Sequence, residues 1–389
     1  MMSDNGKVGM KGSVEEAKGP RIGVAMIVRN GAATMGRALE PFRGVADEFA
    51  ILLGGESSDG TALVAATFAT MSVHHYAGAL DEDGRLLDFA AARQQATELL
   101  TADWMVVVDA DDVWAGVEEH LRALVADVNG RKIGMVEFPY HVGKGQFAQP
   151  RLFRLGSGRW RGPVHEYWEL EPEWEVARTG LIRLEQQQTA GQRRPGHNIR
   201  IAERYLEGRD LAEDPRTAVL LARDYVDAER YEDALALLKR YLLEVDDKEK
   251  ERKFQAHYCR AAAFLRLGRY ADALQSAAMA MTARPYGMAW TVMGEAALRM
   301  GRATGSEALY ELSLMCVERA VNSGQRLMTA WSSVEMVTTI PLLIRAGALT
   351  GLKRYDEALA AADLVLGLDP EYDEAKQVRA VLCGVTGEV

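Results

Sequence analysis

The chain has 389 residues, of which 48% are hydrophobic and 26% are charged, which is typical of a globular protein with a large core. Its formal net charge of −10 disfavours nonspecific nucleic-acid binding, which needs clustered cations for the phosphates. Its cysteines, Cys259, Cys316 and Cys383, are too far apart for a disulfide framework or a cysteine zinc site. No apolar run reaches the ~18–20 residues of a membrane-spanning helix. Residues 1–20 lack the apolar core of a signal peptide, so we expect a mobile leader and a cytoplasmic protein.

Short apolar segments alternate with amphipathic ones over residues 21–190. Ile22–Val28, Phe49–Leu53 and Trp104–Ala110 are apolar throughout, which is typical of strands covered by helices on both faces of a sheet. The segments between them carry apolar residues at spacings of three and four, which favours amphipathic helices. This alternation predicts an α/β domain with a mostly parallel sheet over residues 21–190.

The alternation of strand-like and helix-like segments ends after residue 190. Residues 191–198 are polar, contain Pro195 and predict a linker, and residues 199–389 are expected to be helical. Three copies of the pattern R-Y-x-(D/E)-A-L begin at Arg230, Arg269 and Arg354, each between two helical segments. The pattern resembles the tetratricopeptide repeat, a helix–turn–helix unit of about 34 residues that stacks into a solenoid. A degenerate unit is expected around residues 289–303; the alternative is a generic helical bundle.

Carboxylates cluster where the third apolar segment ends, at Asp109, Asp111 and Asp112. Open α/β sheets bind ligands at the carboxyl ends of their strands. In an extended segment Asp109 and Asp111 point to the same side, which suits a divalent cation bridging protein carboxylates to a diphosphate. The alternative is a helix start with Asp111 or Asp112 as the N-cap.

Residues 21–113 resemble the opening of family-2 glycosyltransferases, which have the GT-A fold. The pieces VAMIVRN, SSDGT, DFAAARQQA and the strand ending in DAD occur in the order that this family shows. The later segment PRLFRLGSGRWRGPVHEYWE resembles the acceptor side of members with C-terminal tetratricopeptide repeats. The resemblance implies a GT-A domain that transfers a sugar, with inversion, from a nucleotide-sugar donor, a UDP-sugar first of all. It also implies Mn2+ or Mg2+ as the cofactor.

The same resemblance implies roles for individual residues. Asp109 and Asp111 would form the DxD motif, with Asp111 ligating the metal and Asp109 facing the metal or the donor ribose. Arg93 would reach the nucleotide or its diphosphate. The nucleobase site would be lined by the backbone at Val28, Arg29 and Asn30.

The chain departs from the family pattern at two places. Gly54 stands where the family usually has an aspartate that contacts the base or ribose, and Glu56 is the candidate substitute. The family often has histidines after the next strand, whereas residues 185–188 here read EQQQ.

Inverting transfer needs a group that removes the acceptor hydroxyl proton, and the segment GPVHEYWE offers His165 and Glu166. Adjacent side chains of an extended segment point to opposite sides, so we expect one of the two to face the cleft. Glu166 is the better base, and His165 is the better ligand for a metal or a diphosphate. The alternative is a surface pair beside Trp160 and Trp168.

Two other functions remain open. Gly54 and EQQQ favour a catalytically silent GT-A/tetratricopeptide scaffold. A nucleotidyltransferase would need a basic, glycine-rich phosphate loop, which VRNGAATMGRA matches poorly. The repeats are expected to present a protein or peptide acceptor in a concave groove, or to join two chains in a homodimer through Leu327–Leu343.

Overall fold

The computed structural model describes residues 19–68, 73–142, 145–186, 196–323 and 334–386. A mixed-sheet region comes first and a helical repeat region follows. The expected leader lies outside the described residues except for residues 19 and 20. The expected linker lies outside them up to residue 195, and its residues 197 and 198 already belong to a helix.

The sheet region alternates strands and helices in its first half and is mostly strand in its second half. Its elements in chain order are β1 (Ile22–Val28), α1 (Met35–Leu39), a 3-10 turn (Glu40–Phe42), β2 (Glu48–Leu53), α2 (Thr61–Ala66), β3 (His74–His75), α3 (Phe89–Glu98), β4 (Trp104–Val107), β5 (Asp112–Ala115), α4 (Val117–Asn129), β6 (Ile133–Val142), β7 (Gly145–Arg154), β8 (Gly158–Arg161), β9 (Tyr167–Leu170), β10 (Glu175–Arg178) and β11 (Arg183–Gln186).

The strand order of the main sheet is β3-β2-β1-β4-β7-β6-β11-β5, with β10 beside β6. The three apolar segments form the adjacent parallel strands β2, β1 and β4, as predicted. The sheet as a whole is mixed, because β7 runs antiparallel to both β4 and β6 and β11 runs antiparallel to β5, whereas β6 pairs in parallel with β10 and β11. β8 and β9 form a separate antiparallel hairpin.

The connection pattern places a crevice beside β1. The chain leaves β1 for β2 on one side and later returns to β4 on the other side. Such a switch point opens a crevice at the carboxyl ends of the two strands, where α/β sheets bind ligands. The residues that follow β1 and β4 therefore meet at one edge of the sheet.

Apolar clusters cover both faces of this sheet. On one face Met26 packs with residues of α1 and α4, including Leu39 and Val125. On the other face Met105 packs with α3 and with the tryptophans of the β8–β9 hairpin. This second cluster fixes α3 and the hairpin, which carry Arg93 and Glu166, against the sheet.

The helical region is a series of antiparallel helix pairs. Its elements are α5 (His197–Leu206), α6 (Pro215–Asp227), α7 (Tyr231–Glu244), α8 (Lys250–Arg266), α9 (Tyr270–Ala283), α10 (Gly287–Thr304), α11 (Glu307–Asn322), a 3-10 turn (Val334–Val337), α12 (Thr339–Gly351), α13 (Tyr355–Leu368) and α14 (Asp373–Thr386). The expected degenerate unit is the pair α10–α11.

The repeated sequence pattern has a repeated geometry. In each copy the residue before the arginine is left-handed, with φ of 59° at Glu229, 74° at Gly268 and 59° at Lys353. The arginine amide then donates to the carbonyl five residues back, a bond typical of a tight helix C-terminus. The arginine Nε also binds the acidic residue three positions later, at 2.7, 2.9 and 2.6 Å in chain order. The prediction of helix–turn–helix repeats is therefore confirmed.

The stretch expected to form a homodimer, Leu327–Leu343, lies partly outside the described residues, up to residue 333. In the rest, Val337, Thr339 and Pro341 are buried and the residues between them are half-buried, and the homodimer stays a prediction. Among the helices of the described ranges, none combines the length and apolarity that a membrane crossing requires.

Candidate functional site

The candidate site lies at the switch-point crevice, where the turn after β4 meets α3, β7 and the β8–β9 hairpin. This turn is closed by a hydrogen bond from the Asp112 amide to the Asp109 carbonyl, 3.1 Å long. The expectation of an extended segment with Asp109 and Asp111 side by side is therefore wrong. The alternative of a helix start is wrong as well, since Asp112 begins β5 and α4 begins only at Val117.

Arg93 joins two carboxylates from different parts of the chain. Its Nη2 donates to Asp109 Oδ1 at 2.9 Å, and its Nε donates to Glu166 Oε1 at 2.6 Å. Its guanidinium also lies over the ring of Trp160, 5.4 Å from the centroid. Three residues that sequence reasoning selected separately, Asp109, Arg93 and Glu166, thus form one connected group.

A second arginine, Arg151 on β7, approaches the same aspartate from the sheet side. Its Nη2 is 2.7 Å from Asp109 Oδ2 and 3.4 Å from Asp112 Oδ2. The Tyr140 hydroxyl donates to Asp112 Oδ1 at 3.4 Å. Sequence reasoning missed Arg151, whose signal is a cation directly before the apolar pair Leu152–Phe153 in the segment PRLFR.

These contacts shift the pKa values of Asp109 and Asp112 in opposite directions. Burial alone would raise the pKa of Asp109, but the charges of Arg151 and Arg93 outweigh it and hold that pKa well below its usual range. Burial raises the pKa of the fully buried Asp112 to about 7, with Arg151 opposing the shift and Asp109 adding to it.

The pH dependence of stability should report this raised pKa. Folded Asp112 holds its proton more tightly than an unfolded aspartate, whose pKa is about 3.9, so its stabilising contribution is present at low pH and is lost as the pH rises through about 7. Asp109, with its low pKa, is ionised in both states above pH ~5 and stays constant in this window. We expect the difference in melting temperature, Asp112→Asn minus wild type, to increase from pH 5 to pH 8 in calorimetry at fixed ionic strength. If the melting temperatures of Asp112→Asn and wild type changed in parallel with pH, the raised pKa of Asp112 would be contradicted.

Asp111 faces another neighbour. Its Oδ2 accepts a hydrogen bond from Gln186 Nε2 on β11 at 3.1 Å. Gln186 belongs to the EQQQ segment, where the family often has histidines, and sequence reasoning did not select it. Within the described ranges, no group of three or more His, Cys, Asp or Glu side chains is arranged to hold a metal ion.

The residues after β1 form the other wall of the crevice. The Val28 carbonyl accepts from the Gly54 amide at 3.0 Å, so it is used within the sheet. The Arg29 side chain donates to the backbone carbonyls of Glu56 at 3.0 Å and Asp83 at 2.7 Å. Exposed Asn30 accepts from the Ser58 amide at 2.8 Å through its side chain. Arg29 and Asn30 therefore tie together the loops that border the crevice.

Leu86 crowds the position of the aspartate that the family carries at Gly54. A Cβ atom at this position would lie 3.2 Å from Leu86 Cδ1, and Leu86 is buried. Gly55 is left-handed, with a φ of 126°, and its added Cβ would lie 2.2 Å from the Gly84 carbonyl oxygen. The side chain of Glu56 is exposed, and its contact with the base or ribose stays a prediction.

His165 and Glu166 point to different partners. Glu166 joins Arg93 in the crevice, whereas His165 Nε2 lies 2.7 Å from Asp224 Oδ2 on α6. Burial opposes ionisation of Asp224, but the hydrogen bond from His165 and the charge of Arg223 lower its pKa overall. This engagement corrects the assignment of His165 as a metal or diphosphate ligand, because its Nε2 is used at the junction with the helical region.

Comparisons with known proteins assign no family to the chain. No family model matches the sequence, and no curated protein matches it. The solved structures that it resembles include the tetratricopeptide-repeat protein YrrB, described as having an unusual peptide-binding site, at 18% identity and a TM-score of 0.35 over 48% of this chain and 84% of that one. Another is the tetratricopeptide-repeat protein TTC0263 from Thermus thermophilus, at 22% identity and a TM-score of 0.35 over 44% of this chain and 83% of that one. Likeness at these TM-scores says nothing about function.

Proposed function

We propose that the chain is a glycosyltransferase of the GT-A type that transfers a sugar, with inversion, from a nucleotide-sugar donor and depends on Mn2+ or Mg2+. The observation that carries the proposal is the connected group Asp109–Arg93–Glu166 at the switch-point crevice. A cation and two carboxylates meet there at the edge where open α/β sheets bind nucleotides.

The donor would lie between the two walls of the crevice. Its base would rest against the backbone after β1, since Gly54, with Leu86 close to it, stands where the family has its aspartate. Its diphosphate would approach the guanidinium of Arg93, since charged hydrogen-bond donors attract phosphate oxygens. The resemblance in sequence puts UDP-sugars first among the donors to be tested.

The chain's own ligands fit a metal ion only together with the donor. Both oxygens of Asp109 are engaged by arginines, and Asp111 offers one carboxylate beside Gln186. This set suits a cation held between Asp111 and the donor diphosphate, and it does not suit a site made of protein ligands alone. When bound, the cation would supply Lewis-acid stabilisation of the departing nucleoside diphosphate.

Glu166 would remove the proton from the acceptor hydroxyl. It binds Arg93, and its neighbour His165 contacts α6, so the α6 side is one end from which an acceptor could approach. An acceptor that reaches Glu166 from this end would pass the first helices of the repeat region. We therefore propose a protein or peptide acceptor, because helical repeats expose extended surfaces suited to polypeptides.

A nucleotide-sugar screen tests the proposal. One matching nucleoside diphosphate sugar should raise the melting temperature in the presence of Mn2+, since a ligand at about 100 times its Kd adds about 2.7 kcal/mol. The Asp111→Asn variant should fold normally but lose the Mn2+-dependent part of the shift. The matched control is Asp127→Asn, which changes an exposed aspartate on α4. If the melting temperature of Asp111→Asn, or of the wild type in EDTA, still rose by the full amount, Asp111 would not hold a metal ion that the donor needs.

One observation favours a second function, a catalytically silent scaffold. Asp109 is fully paired with Arg93 and Arg151, so the group is charge-compensated without any ligand. Such a scaffold would bind a polypeptide through its repeats and would show no shift with any nucleotide-sugar. The same screen therefore separates the two functions.

A further inference from the structure

The hairpin loop Gly162–Glu166, which joins β8 to β9, lies between the crevice and the helical region. Its Pro163 carbonyl accepts from the Phe89 amide, the first residue of α3, at 2.8 Å. Its Val164 is buried in a cluster with Ile199 of α5 and Leu221 of α6. Both regions of the protein therefore hold this loop.

His165 has a left-handed backbone, with a φ of 51°. This conformation is unfavourable for a non-glycine residue and persists where the surroundings impose it. Its ring is held by two consecutive residues of α6: Nε2 is 2.7 Å from Asp224 Oδ2, and Arg223 Nη2 lies 3.1 Å from Nε2 and 3.3 Å from Nδ1. The neutral tautomer with its proton on Nε2 satisfies both contacts.

Glu166 leaves the loop toward the opposite side. Because it follows His165 directly, the torsion angles of His165 set the direction in which Glu166 enters the crevice. Val164 anchors the position of the loop, and the His165 ring contacts hold the residue directly before Glu166. Polar contacts thus join α6 to His165, and they join Glu166, the next residue along the chain, to Arg93 and through it to Asp109.

We propose that Asp224 is a positioning residue for Glu166, which it orients through His165, so that the first helix pair of the repeat region completes the candidate active site. The inference rests on the proposed function, in which Glu166 removes the acceptor proton. It assigns α6 a role in the chemical step in addition to any contact with the acceptor.

A double-mutant cycle in the full chain tests this coupling. Asp224→Asn keeps the side-chain size and one carbonyl oxygen but loses the charge that holds His165 and Arg223. We expect it to lower kcat by about 10–100-fold with the donor KM unchanged, since small misplacements of a reacting group cost rates of this order. In a Glu166→Gln background the same substitution should change kcat by less than about twofold, because residues that act through one another are not additive. Equal effects in both backgrounds would overturn the proposal.

A second measurement does not depend on activity. The Arg93 Nε–H signal in nitrogen-15 NMR, assigned by its loss in Arg93→Lys, reports the contact with Glu166. Asp224→Asn should shift this signal, whereas Asp227→Asn, at an exposed position on the same helix, should leave both the signal and kcat unchanged. An unmoved signal in Asp224→Asn overturns the coupling. A wild type that neither transfers nor hydrolyses any donor overturns the proposed function instead. In that case the Arg93 Nε–H signal of Asp224→Asn still shows whether Asp224 positions Glu166.

Discussion

Replacing Arg151 by methionine is expected to lower the free energy of unfolding by about 3–5 kcal/mol, the usual cost of removing one partner of a buried ion pair. The Arg151 side chain is only 6% exposed, so solvent screens its interactions little. Its loss leaves Asp112 without its cation and Asp109 with Arg93 alone. Urea denaturation followed by circular dichroism measures the change.

Two companion variants show whether the loss arises from charge. Adding Asp112→Asn to Arg151→Met should restore part of the stability, because it removes the buried carboxylate that lost its partner. Arg151→Lys should lie between wild type and Arg151→Met, since a point charge cannot reproduce the planar guanidinium contacts. A loss below ~1 kcal/mol for Arg151→Met would mean that the cluster contributes little to the fold.

Glu166→Gln is expected to lower kcat for transfer by about 10²–10⁴, the usual contribution of a general base. The amide oxygen of glutamine can still accept from Arg93, so the geometry and the donor affinity should change little. Glu169→Gln on the same hairpin is the matched control, because Glu169 pairs with Arg159 and Arg161 at the surface. A loss of donor affinity in Glu166→Gln would place the residue on the donor side, and unchanged rates would return it to a structural role.

The parallel half of the sheet could be predicted because β1, β2 and β4 are buried on both faces and therefore apolar throughout. β6 and β7 could not, since polar residues such as Glu137 and Gln149 interrupt their apolar pattern and their pairing is antiparallel. The repeats were predictable because each turn needs the same arginine–carboxylate pair three residues apart. Features set by neighbouring residues could thus be predicted from the sequence, whereas the order of strands distant along the chain could not.

The candidate site was predictable residue by residue but not as an assembly. Asp109, Arg93 and Glu166 each belong to a recognisable segment. Their connection depends on how α3 and the hairpin pack on the sheet, which no local pattern encodes. The partner of His165 lies 59 residues away on α6, so the sequence suggested a metal ligand where the structure has a junction between regions.

The buried position of Val164 also bears on how the protein is made. The helices that cover it are synthesised after the hairpin, and Asp224 follows His165 by 59 residues. At about 5–20 residues per second, the ribosome needs several seconds to add them. Until then Val164 and the neighbouring Leu87 and Phe89 lack the apolar partners that α5 and α6 supply. The hairpin that carries Glu166 is thus among the last parts of the sheet region to reach its final place, and a nascent chain stalled before α6 presents an apolar patch to chaperones.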